Sequence, residues 1–453
     1  MTNSGTKIRL STMNFLEFAV WGSYLISMGM YLASNGLGAD VFWFYTVQGL
    51  VSIIMPALIG IVADRWIPAQ KTLSICHIIA GVFMIATGLV AARDIAATGT
   101  INFAPTFALY TVSVAFFMPT IGLVNSVAFN VLEQRRMSTV TDFPPIRVFG
   151  TVGFIFAELL VNFVPVGDTT IQHSAWQFYT SGAFSLILAA YALTMPNCPC
   201  RKGENKSLAD ALGIKAFRLF KRKEMAIFFV FSMLLGVSLQ ITNSYGSDFI
   251  NFFSGLPEYS NGFMDGWWAN NPTFLISISQ CAEALCILAI PFFLKRFGIK
   301  GVMLMAMFAW TLRFGFFGIG NTNFPGVVFL ILSCIVYGVA FDFFNVSGGI
   351  YVDSQTEPSQ RSSAQGLFML MTNGIGASVG TIIAGSCVVN KLVKAPGLSL
   401  EEQLTGWHNS WLIFAAYATV VAILFIFIFR NPSKGADPAK EVRQAEEMPV
   451  EDI

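Results

Sequence analysis

The chain has 453 residues, of which 55% are apolar and only 12% are charged, with a mean hydropathy of +0.63. Soluble domains carry about twice that share of charge, so a water-soluble globular protein is excluded. The 27 basic and 26 acidic residues leave a net charge of +1, which provides no basic field for nucleic acid. The seven cysteines lie mostly inside apolar runs and predict neither a disulfide framework nor a metal site.

Twelve apolar runs, broken at proline, glycine and charge, predict twelve transmembrane helices, since about 20 residues cross a bilayer as a helix. The first six are predicted at Leu10–Ala33, Val41–Val62, Thr72–Ala92, Pro105–Phe129, Pro145–Val164 and Trp176–Met195. The second six are predicted at Met225–Ile250, Phe274–Leu294, Val302–Ile319, Val327–Ile350, Ala364–Val389 and Trp411–Phe429. The predicted fold is therefore all-α and polytopic, with two six-helix bundles.

The connections divide the chain into four predicted regions. Residues 1–195 and 225–430 are the two bundles, joined by a basic hydrophilic linker at 196–224 that is predicted to carry one short amphipathic helix. The polar tail, 431–453, is predicted to be disordered. Because 22 of the 27 basic residues fall in alternate connections, the positive-inside rule predicts that both termini lie in the cytoplasm.

A six-plus-six arrangement with a cytoplasmic linker resembles the major facilitator superfamily. After the second helix, Gly60, Asp64 and Arg65 in GIVADR resemble the G-x-x-x-D-R loop of that superfamily. There a small glycine lets helices approach closely, and the acid complements the dipole of neighbouring helix ends. The alternative interpretation is an ordinary charged turn.

The fifth predicted helix has a polar stripe. Its members are Arg147, Thr151, Phe154 and Glu158, which fall at i, i+4, i+7 and i+11 and share one face. A cation, a hydroxyl and an aromatic ring on one face favour a polar, partly planar solute. Alternatively, Arg147 forms an interhelical ion pair and Thr151 bonds its own helix, while Glu158 lies near the outer water.

Amide and acidic groups also interrupt the seventh and eighth helices. Gln240 and Asn243 are spaced i, i+3, as are Gln280 and Glu283, so each pair shares a helix face. Amides both donate and accept hydrogen bonds, as ring nitrogens, carbonyls and sugar hydroxyls require. The alternative is polar contact between helices.

On the tenth helix, Tyr337, Phe341 and Asn345 recur every four residues beside Asp342. Such aromatic rings stack on a flat base, and the acid can hold a hydroxyl. Burial penalises the charged form of Asp342, which makes it a candidate for proton exchange.

Three further ionisable groups have open assignments. Glu17 either lines the same site or reaches the cytoplasmic surface. Arg313 needs a counter-ion, and a structural pair is favoured over a solute contact. His77 is expected to have a satisfied packing role, whereas His173 and His408 are expected to lie outside the membrane.

Five segments carry a family resemblance: TDFPPIRVFGTVGF, FSMLLGVSLQITN, SISQCAEALCILAIPFFLKRFGIK, IVYGVAFDFFNVSG and SAQGLFMLMTNGIG. Together they resemble the bacterial nucleoside:proton symporter family. The resemblance implies a carrier driven by the proton gradient through alternating access, with nucleoside and protons as its partners and no cofactor. It implies substrate contacts at Arg147, Thr151, Phe154, Gln240, Asn243, Gln280, Glu283, Tyr337, Phe341 and Asp342. Glu283 and Asp342 are the candidates for proton coupling.

Other functions remain as alternatives. A sugar or oligosaccharide proton symporter on the same fold is the nearest, and a transporter-like receptor without net flux is another. The sequence has no H-E-x-x-H or Walker motif, so an enzyme is not predicted. Beyond its solute, the chain is expected to contact only membrane lipid and to be a monomer.

Overall fold

The computed structural model describes residues 3–137, 139–200, 214–260, 263–356 and 361–429. The predicted disordered tail, 431–453, and residues 201–213 of the predicted linker lie outside the described residues. Within them the chain is nearly all helical. Two short strands, β1 (Pro165–Val166) and β2 (Thr169–Thr170), pair as an antiparallel ribbon.

The N-terminal half contains eight helical segments that form six crossings. They are α1 (Asn3–Gly22), α2 (Met28–Leu32), α3 (Val41–Arg65), α4 (Ala69–Thr98), α5 (Phe103–Phe117), α6 (Thr120–Gln134), α7 (Thr139–Phe163) and α8 (Trp176–Ala192). The first crossing combines α1 and α2 with a π-helical turn at Ala33–Leu37, and the fourth combines α5 with α6. The ribbon and a 3₁₀ turn at Ile171–His173 connect α7 to α8.

The described residues of the C-terminal half contain ten helical segments. They are α9 (Lys223–Leu239), α10 (Ile241–Phe252), α11 (Pro257–Ser260), α12 (Trp267–Asn270), α13 (Pro272–Ile319), α14 (Gly326–Ser354), α15 (Arg361–Met369), α16 (Ala377–Ile383), α17 (Asn390–Leu392) and α18 (Leu400–Ile428). Two π-helical turns, Leu370–Gly376 and Ala384–Val389, join α15, α16 and α17 into one crossing. The remaining 3₁₀ turns lie at Ile214–Lys221, Phe253–Gly255 and Phe263–Gly266. The first of these occupies part of the linker in which an amphipathic helix was predicted.

The number of crossings follows from segment length and from one glycine. Among the described residues, nine segments are long and apolar enough to cross a membrane. The 48-residue α13 contains two crossings. Gly298 has a φ of +67°, which breaks the helix. Arg313 in the second part donates to Ser279 in the first part, so the two parts lie side by side. Together with the first crossing and α8, this gives the twelve predicted helices and the major facilitator arrangement.

Solvent exposure is inverted relative to a soluble protein. Large apolar side chains face outward, including Leu288 and Phe427, each 79% exposed. Ionisable groups such as Glu17, His77 and Glu158 are fully enclosed. An apolar exterior around a core that contains buried charge is stable only in lipid, so the fold is that of a multi-pass membrane protein.

Close contact between α1 and α7 depends on glycine. A Cβ atom on Gly22 would collide with the backbone carbonyl of Phe154, and one on Gly153 would collide with that of Phe15. Small residues allow such backbone proximity between membrane helices. The contact brings the Phe154 ring edge-on to Trp21, with 6.1 Å between ring centroids.

Two sequence expectations need correction. The fifth crossing begins at Thr139 rather than Pro145, and it continues through both Pro144 and Pro145. Proline marks a helix start in water, but membrane helices tolerate it internally because neighbouring groups satisfy the freed carbonyls. Arg147 consequently lies well inside α7 rather than at its first turn.

The expectation for Gly60 is also wrong in this structure. A Cβ atom there would meet no atom of the described residues within 4 Å, so this glycine mediates no close helix approach. The α3 helix ends at Arg65 and packs into the N-terminal core through Ala63 rather than through Gly60. The side chain of Asp64 lies outside the described residues.

Candidate substrate site between the bundles

The two bundles are joined at the end of the molecule opposite the N-terminus. Asn162 at the end of α7 donates to the Asn271 side chain at 2.8 Å and accepts from the Phe274 backbone N–H at 3.1 Å. The hydroxyls of Thr46 on α3 and Thr381 on α16 lie 2.7 Å apart. These contacts cross between the halves, so this end is closed.

The first crossing of each bundle is interrupted at membrane depth. Between α1 and α2, the Tyr45 hydroxyl donates to the Leu25 carbonyl at 2.7 Å and accepts from the Gly29 N–H at 3.1 Å. Between α9 and α10, Gln240 accepts from the Asn243 side-chain amide at 3.0 Å. Paired interruptions in corresponding helices commonly mark the substrate sites of transporters.

Arg147 and Glu283 face each other across the bundle interface. The Arg147 guanidinium lies 4.0 Å above the Phe18 ring and is close enough to Glu283 for direct electrostatic attraction. Both side chains are half-buried, as is Thr151, whereas Phe154 is buried. The α7 stripe thus meets the acid of α13.

The tenth crossing contributes a ring stack next to a carboxylate. The Tyr337 and Phe341 rings are nearly parallel, with an interplanar angle of 12° and 5.6 Å between centroids. Asp342 is only 5% exposed and interacts electrostatically with Glu283. Two acids and two aromatic rings therefore share the C-terminal side of the interface.

Several buried polar atoms at this interface lack a hydrogen-bond partner among the described residues. They are Gln280 Oε1, Asp342 Oδ2 and both carboxylate oxygens of Glu158. Glu158, the last member of the predicted α7 stripe, is fully enclosed and within electrostatic range of Glu283, so the alternative position near the outer water is wrong. Each unpartnered buried group costs about 1–3 kcal/mol, and a polar ligand would relieve that cost.

Arg313 joins helices on the C-terminal side of the site, whereas the sequence predicted only a structural ion pair for it. It is fully buried, and its guanidinium donates to the hydroxyls of Thr242 and Ser279 and to the Ser333 carbonyl. It also lies 4.2 Å from the centre of the Tyr337 ring. Its described partners are dipoles and a ring face rather than the expected counter-ion, and they tie α10, α13 and α14 together.

Glu17 neither lines this site nor reaches the surface. It is fully buried in the N-terminal bundle, and its carboxylate lies 2.8 Å from Nε2 of His77. The predicted satisfied packing role of His77 therefore includes a partner that the sequence did not identify. The helix spacing contained no signal for that pairing.

The site combines the chemical groups that bind a heterocyclic base and its sugar. Aromatic faces are available at Phe154, Tyr337 and Phe341, amides at Gln240 and Gln280, and charge on either side. Amides and the guanidinium can read ring nitrogens and carbonyls, and the acids can hold hydroxyls. The geometry of this site supports binding.

Comparison with known proteins agrees with this geometry. The family model described as "Nucleoside H+ symporter" matches residues 4–434. The xanthosine permease of Escherichia coli is 44% identical over 93% of this chain and 96% of its own length. Nucleoside permease NupG of the same organism is 40% identical over 94% and 96%. A crystal structure of nucleoside transporter NupG matches with a TM-score of 0.82 at 40% identity, covering 95% of this chain and all of that one. The chain therefore belongs to the nucleoside H+ symporter family.

Proposed function

We propose that this chain carries a nucleoside into the cell together with protons and binds it at the interface between its two bundles. The observation that carries the proposal is the set of unpartnered buried atoms on Gln280, Asp342 and Glu158 beside the Tyr337–Phe341 stack. A polar ligand would supply partners for these atoms, and a flat one would pack against the stack. A nucleoside has both properties.

Each predicted residue then has a role. The base packs against Phe154 and Phe341 and receives hydrogen bonds from Arg147 and from the Gln240 and Asn243 amides. Ribose hydroxyls bond to the acids and to Gln280. Thr151 and Tyr337 complete the polar wall on either side. This assignment draws on both bundles, so their relative movement exposes or closes the site.

Proton coupling is assigned to Glu283 and Asp342. The two carboxylates interact electrostatically, and like charges at short range disfavour simultaneous ionisation. Binding a proton removes a buried charge, which lowers the cost of closing the site around the solute. The carrier then reorients by rocking one bundle against the other.

The orientation follows from the basic residues. With both termini in the cytoplasm, 22 of the 27 basic residues lie on the cytoplasmic side. The end closed by Asn162 and Thr46 then faces outward, and the site faces the cytoplasm. The functional unit is a monomer in the inner membrane, with residues 1–195 and 225–430 as the moving parts.

Uptake into proteoliposomes tests the proposal. Uridine and xanthosine are supplied with and without an imposed pH gradient, and a panel of sugars competes against them. We expect accumulation that depends on the gradient and that nucleosides, not sugars, inhibit. Uptake indifferent to the gradient, or competition by sugars alone, would contradict it. Binding without accumulation would instead support the receptor alternative.

Variants locate the site within the same assay. Asp342→Asn and Glu283→Gln keep side-chain shape but remove the charge, and we expect each to abolish accumulation driven by the gradient. Gln240→Ala is expected to weaken nucleoside binding about tenfold through the loss of a desolvated hydrogen bond. Asp353→Asn is the matched control, because Asp353 lies on the same helix but bonds to Gln365.

A further inference from the structure

The N-terminal bundle contains a buried acid–imidazole cluster that the proposed transport cycle does not use. Glu17 on α1 and His77 on α4 are both fully enclosed, with Oε2 and Nε2 2.8 Å apart. Thr120 at the start of α6 lies 2.6 Å from the other carboxyl oxygen, and Ser185 on α8 lies 2.9 Å from His77 Nδ1. Four crossings of one bundle therefore meet at a titratable pair.

Both hydroxyls in the cluster have a second partner. The Ser185 oxygen lies 2.9 Å from the His77 backbone carbonyl, and the Thr120 oxygen lies 2.6 Å from the Phe117 carbonyl. A hydroxyl has one hydrogen and can donate to only one acceptor at a time. When each hydroxyl donates to its carbonyl, hydrogen must come from the imidazole toward Ser185 and from the carboxyl toward Thr120.

Counting hydrogens shows what the cluster lacks. It contains five short polar contacts, each of which needs one hydrogen to be attractive. With Glu17 ionised and His77 neutral, the four groups supply only three hydrogens. Each added proton fills one more contact, so the geometry favours proton uptake by the Glu17–His77 pair.

The surroundings of the pair include few other titratable groups. Arg147 on α7 and Cys76 on α4 lie within electrostatic range of Glu17. The groups that face the pair from α6 and α8 are the Thr120 and Ser185 hydroxyls.

The pair lies directly behind the wall of the substrate site. Phe117, whose carbonyl contacts Thr120, has its ring 6.2 Å from the His77 ring and 6.2 Å from Trp21. Trp21, one helical turn from Glu17, contacts Phe154. Phe18, the residue after Glu17, supports the Arg147 guanidinium. A change in charge at the pair is therefore transmitted to groups that we assign to the nucleoside.

We propose that the Glu17–His77 pair is a proton-binding site of the N-terminal bundle, separate from Glu283 and Asp342, and that its occupancy adjusts nucleoside affinity. The affinity clause rests on the proposed function, whereas the proton site does not. When the pair holds a proton, Trp21 and Phe154 keep their present positions in the wall of the substrate site. Loss of the proton leaves short polar contacts without a hydrogen. Repulsion between their atoms then moves α1 away from α4.

Spectroscopy of the three histidines tests the site without transport. The full-length protein in nanodiscs is labelled with ¹⁵N-histidine, and resonances are assigned with single histidine-to-glutamine variants. A pH titration from about pH 5 to about pH 9 spans the range in which an imidazole changes charge. The infrared carboxylic-acid band that disappears in Glu17→Gln reports the carboxyl proton.

We expect the pair to hold a proton at neutral pH, as an imidazolium or as a protonated carboxyl, and to release it toward the alkaline end. Glu17→Gln should then shift the His77 resonance and its titration. His408 is the internal control, because its Nδ1 lies 2.8 Å from the Gly318 carbonyl, and its resonance should not respond. A neutral imidazole facing an ionised carboxylate throughout the titration would overturn the proposal.

Binding measurements then test the link to substrate. We expect the Kd for nucleoside to change about fivefold across this pH range in an Asp342→Asn/Glu283→Gln background, and the change to be absent when Glu17→Gln is added. An unchanged pH profile would overturn the affinity clause but leave the proton site standing. Absence of any nucleoside binding in the wild-type chain would instead contradict the proposed function.

Discussion

The two bundles each enclose an ionisable side chain in a hydrogen-bonded cluster, but one side chain is an acid and the other is a base. In the N-terminal bundle the cluster centres on Glu17, whose partner His77 can gain or lose a proton. In the C-terminal bundle it centres on Arg313, which remains charged under all physiological conditions. One cluster can change its charge and the other cannot.

The partners of the two groups match this difference. Arg313 is surrounded by hydroxyls, a carbonyl and a ring face, which stabilise a cation without neutralising it. Glu17 faces groups whose hydrogens can be rearranged. A permanent charge gives the C-terminal side of the site a fixed geometry, and a variable charge gives the N-terminal side an adjustable one.

The largest expected effect comes from removing the permanent charge. Arg313→Met leaves the Thr242 and Ser279 hydroxyls without their donor and Tyr337 without its support. We expect the free energy of unfolding to fall by about 3 kcal/mol, and nucleoside binding to be lost. Denaturant or thermal unfolding of the full chain in detergent measures the first effect.

Arg296→Met is the matched control, since Arg296 is an exposed arginine on the same helix. Its substitution should change stability by no more than about 0.5 kcal/mol. Arg313→Lys keeps the charge but loses the planar donor arrangement, and it should fall between the two. If Arg313→Met unfolds like the wild-type chain, Arg313 does not fix the geometry of the C-terminal side of the site.

The two clusters also show what sequence can and cannot predict. Hydropathy runs predicted all twelve crossings, since lipid imposes length and composition on each helix independently. Spacing grouped Arg147 with Phe154 because residues on one helix face are fixed by helical geometry. The Glu17–His77 contact joins residues 60 positions apart, and helical spacing reports the face but not the partner.

The helix interruptions were missed for a related reason. Gln240 lies inside the predicted helix Met225–Ile250, and no adjacent proline or glycine ends the helix there. In the other bundle, the Tyr45 hydroxyl satisfies the freed backbone groups of Leu25 and Gly29, and no local pattern reports such a tertiary contact. A single charged residue in an apolar run, such as Arg313, was the one visible signal of a buried cluster.

A smaller effect is expected where the bundles meet, because these contacts must break during transport. Asn162→Ala removes the hydrogen bonds to Asn271 and Phe274 at the closed end. We expect the equilibrium to shift about tenfold toward opening of that end, corresponding to about 1–2 kcal/mol for two hydrogen bonds. Neither buried cluster should be disturbed, because the bundles move as units.

Spin labels measure this shift. Asp168 and Glu401 are exposed at the closed end on opposite bundles, and cysteines placed there report the separation after the exposed Cys281 and Cys387 are replaced by serine. Asn130→Ala is the control, since the Asn130 amide bonds only to its own helix at Ser126. An unchanged distance distribution for Asn162→Ala would mean that other contacts hold this end closed.

The smallest effects are expected from ion pairs near the surface. These pairs test whether stability depends on the presence of a charge or on its enclosure. Lys7 lies 2.6 Å from Asp142 in the N-terminal bundle, with side chains 43% and 21% exposed. Lys394 lies 2.7 Å from Asp248 in the C-terminal bundle, with 18% and 10% exposed, and its ammonium lies 5.3 Å from the Trp407 ring. Solvent weakens the first pair much more than the second.

Lys7→Gln should therefore change the free energy of unfolding by no more than about 0.5 kcal/mol, and less at high salt. Lys394→Gln should cost about 1 kcal/mol, because a less exposed pair and a cation–π contact are lost together. Unfolding at two salt concentrations distinguishes the variants. If Lys7→Gln were as damaging as Arg313→Met, charge rather than enclosure would determine stability, and the contrast between the two buried clusters would lose its physical basis.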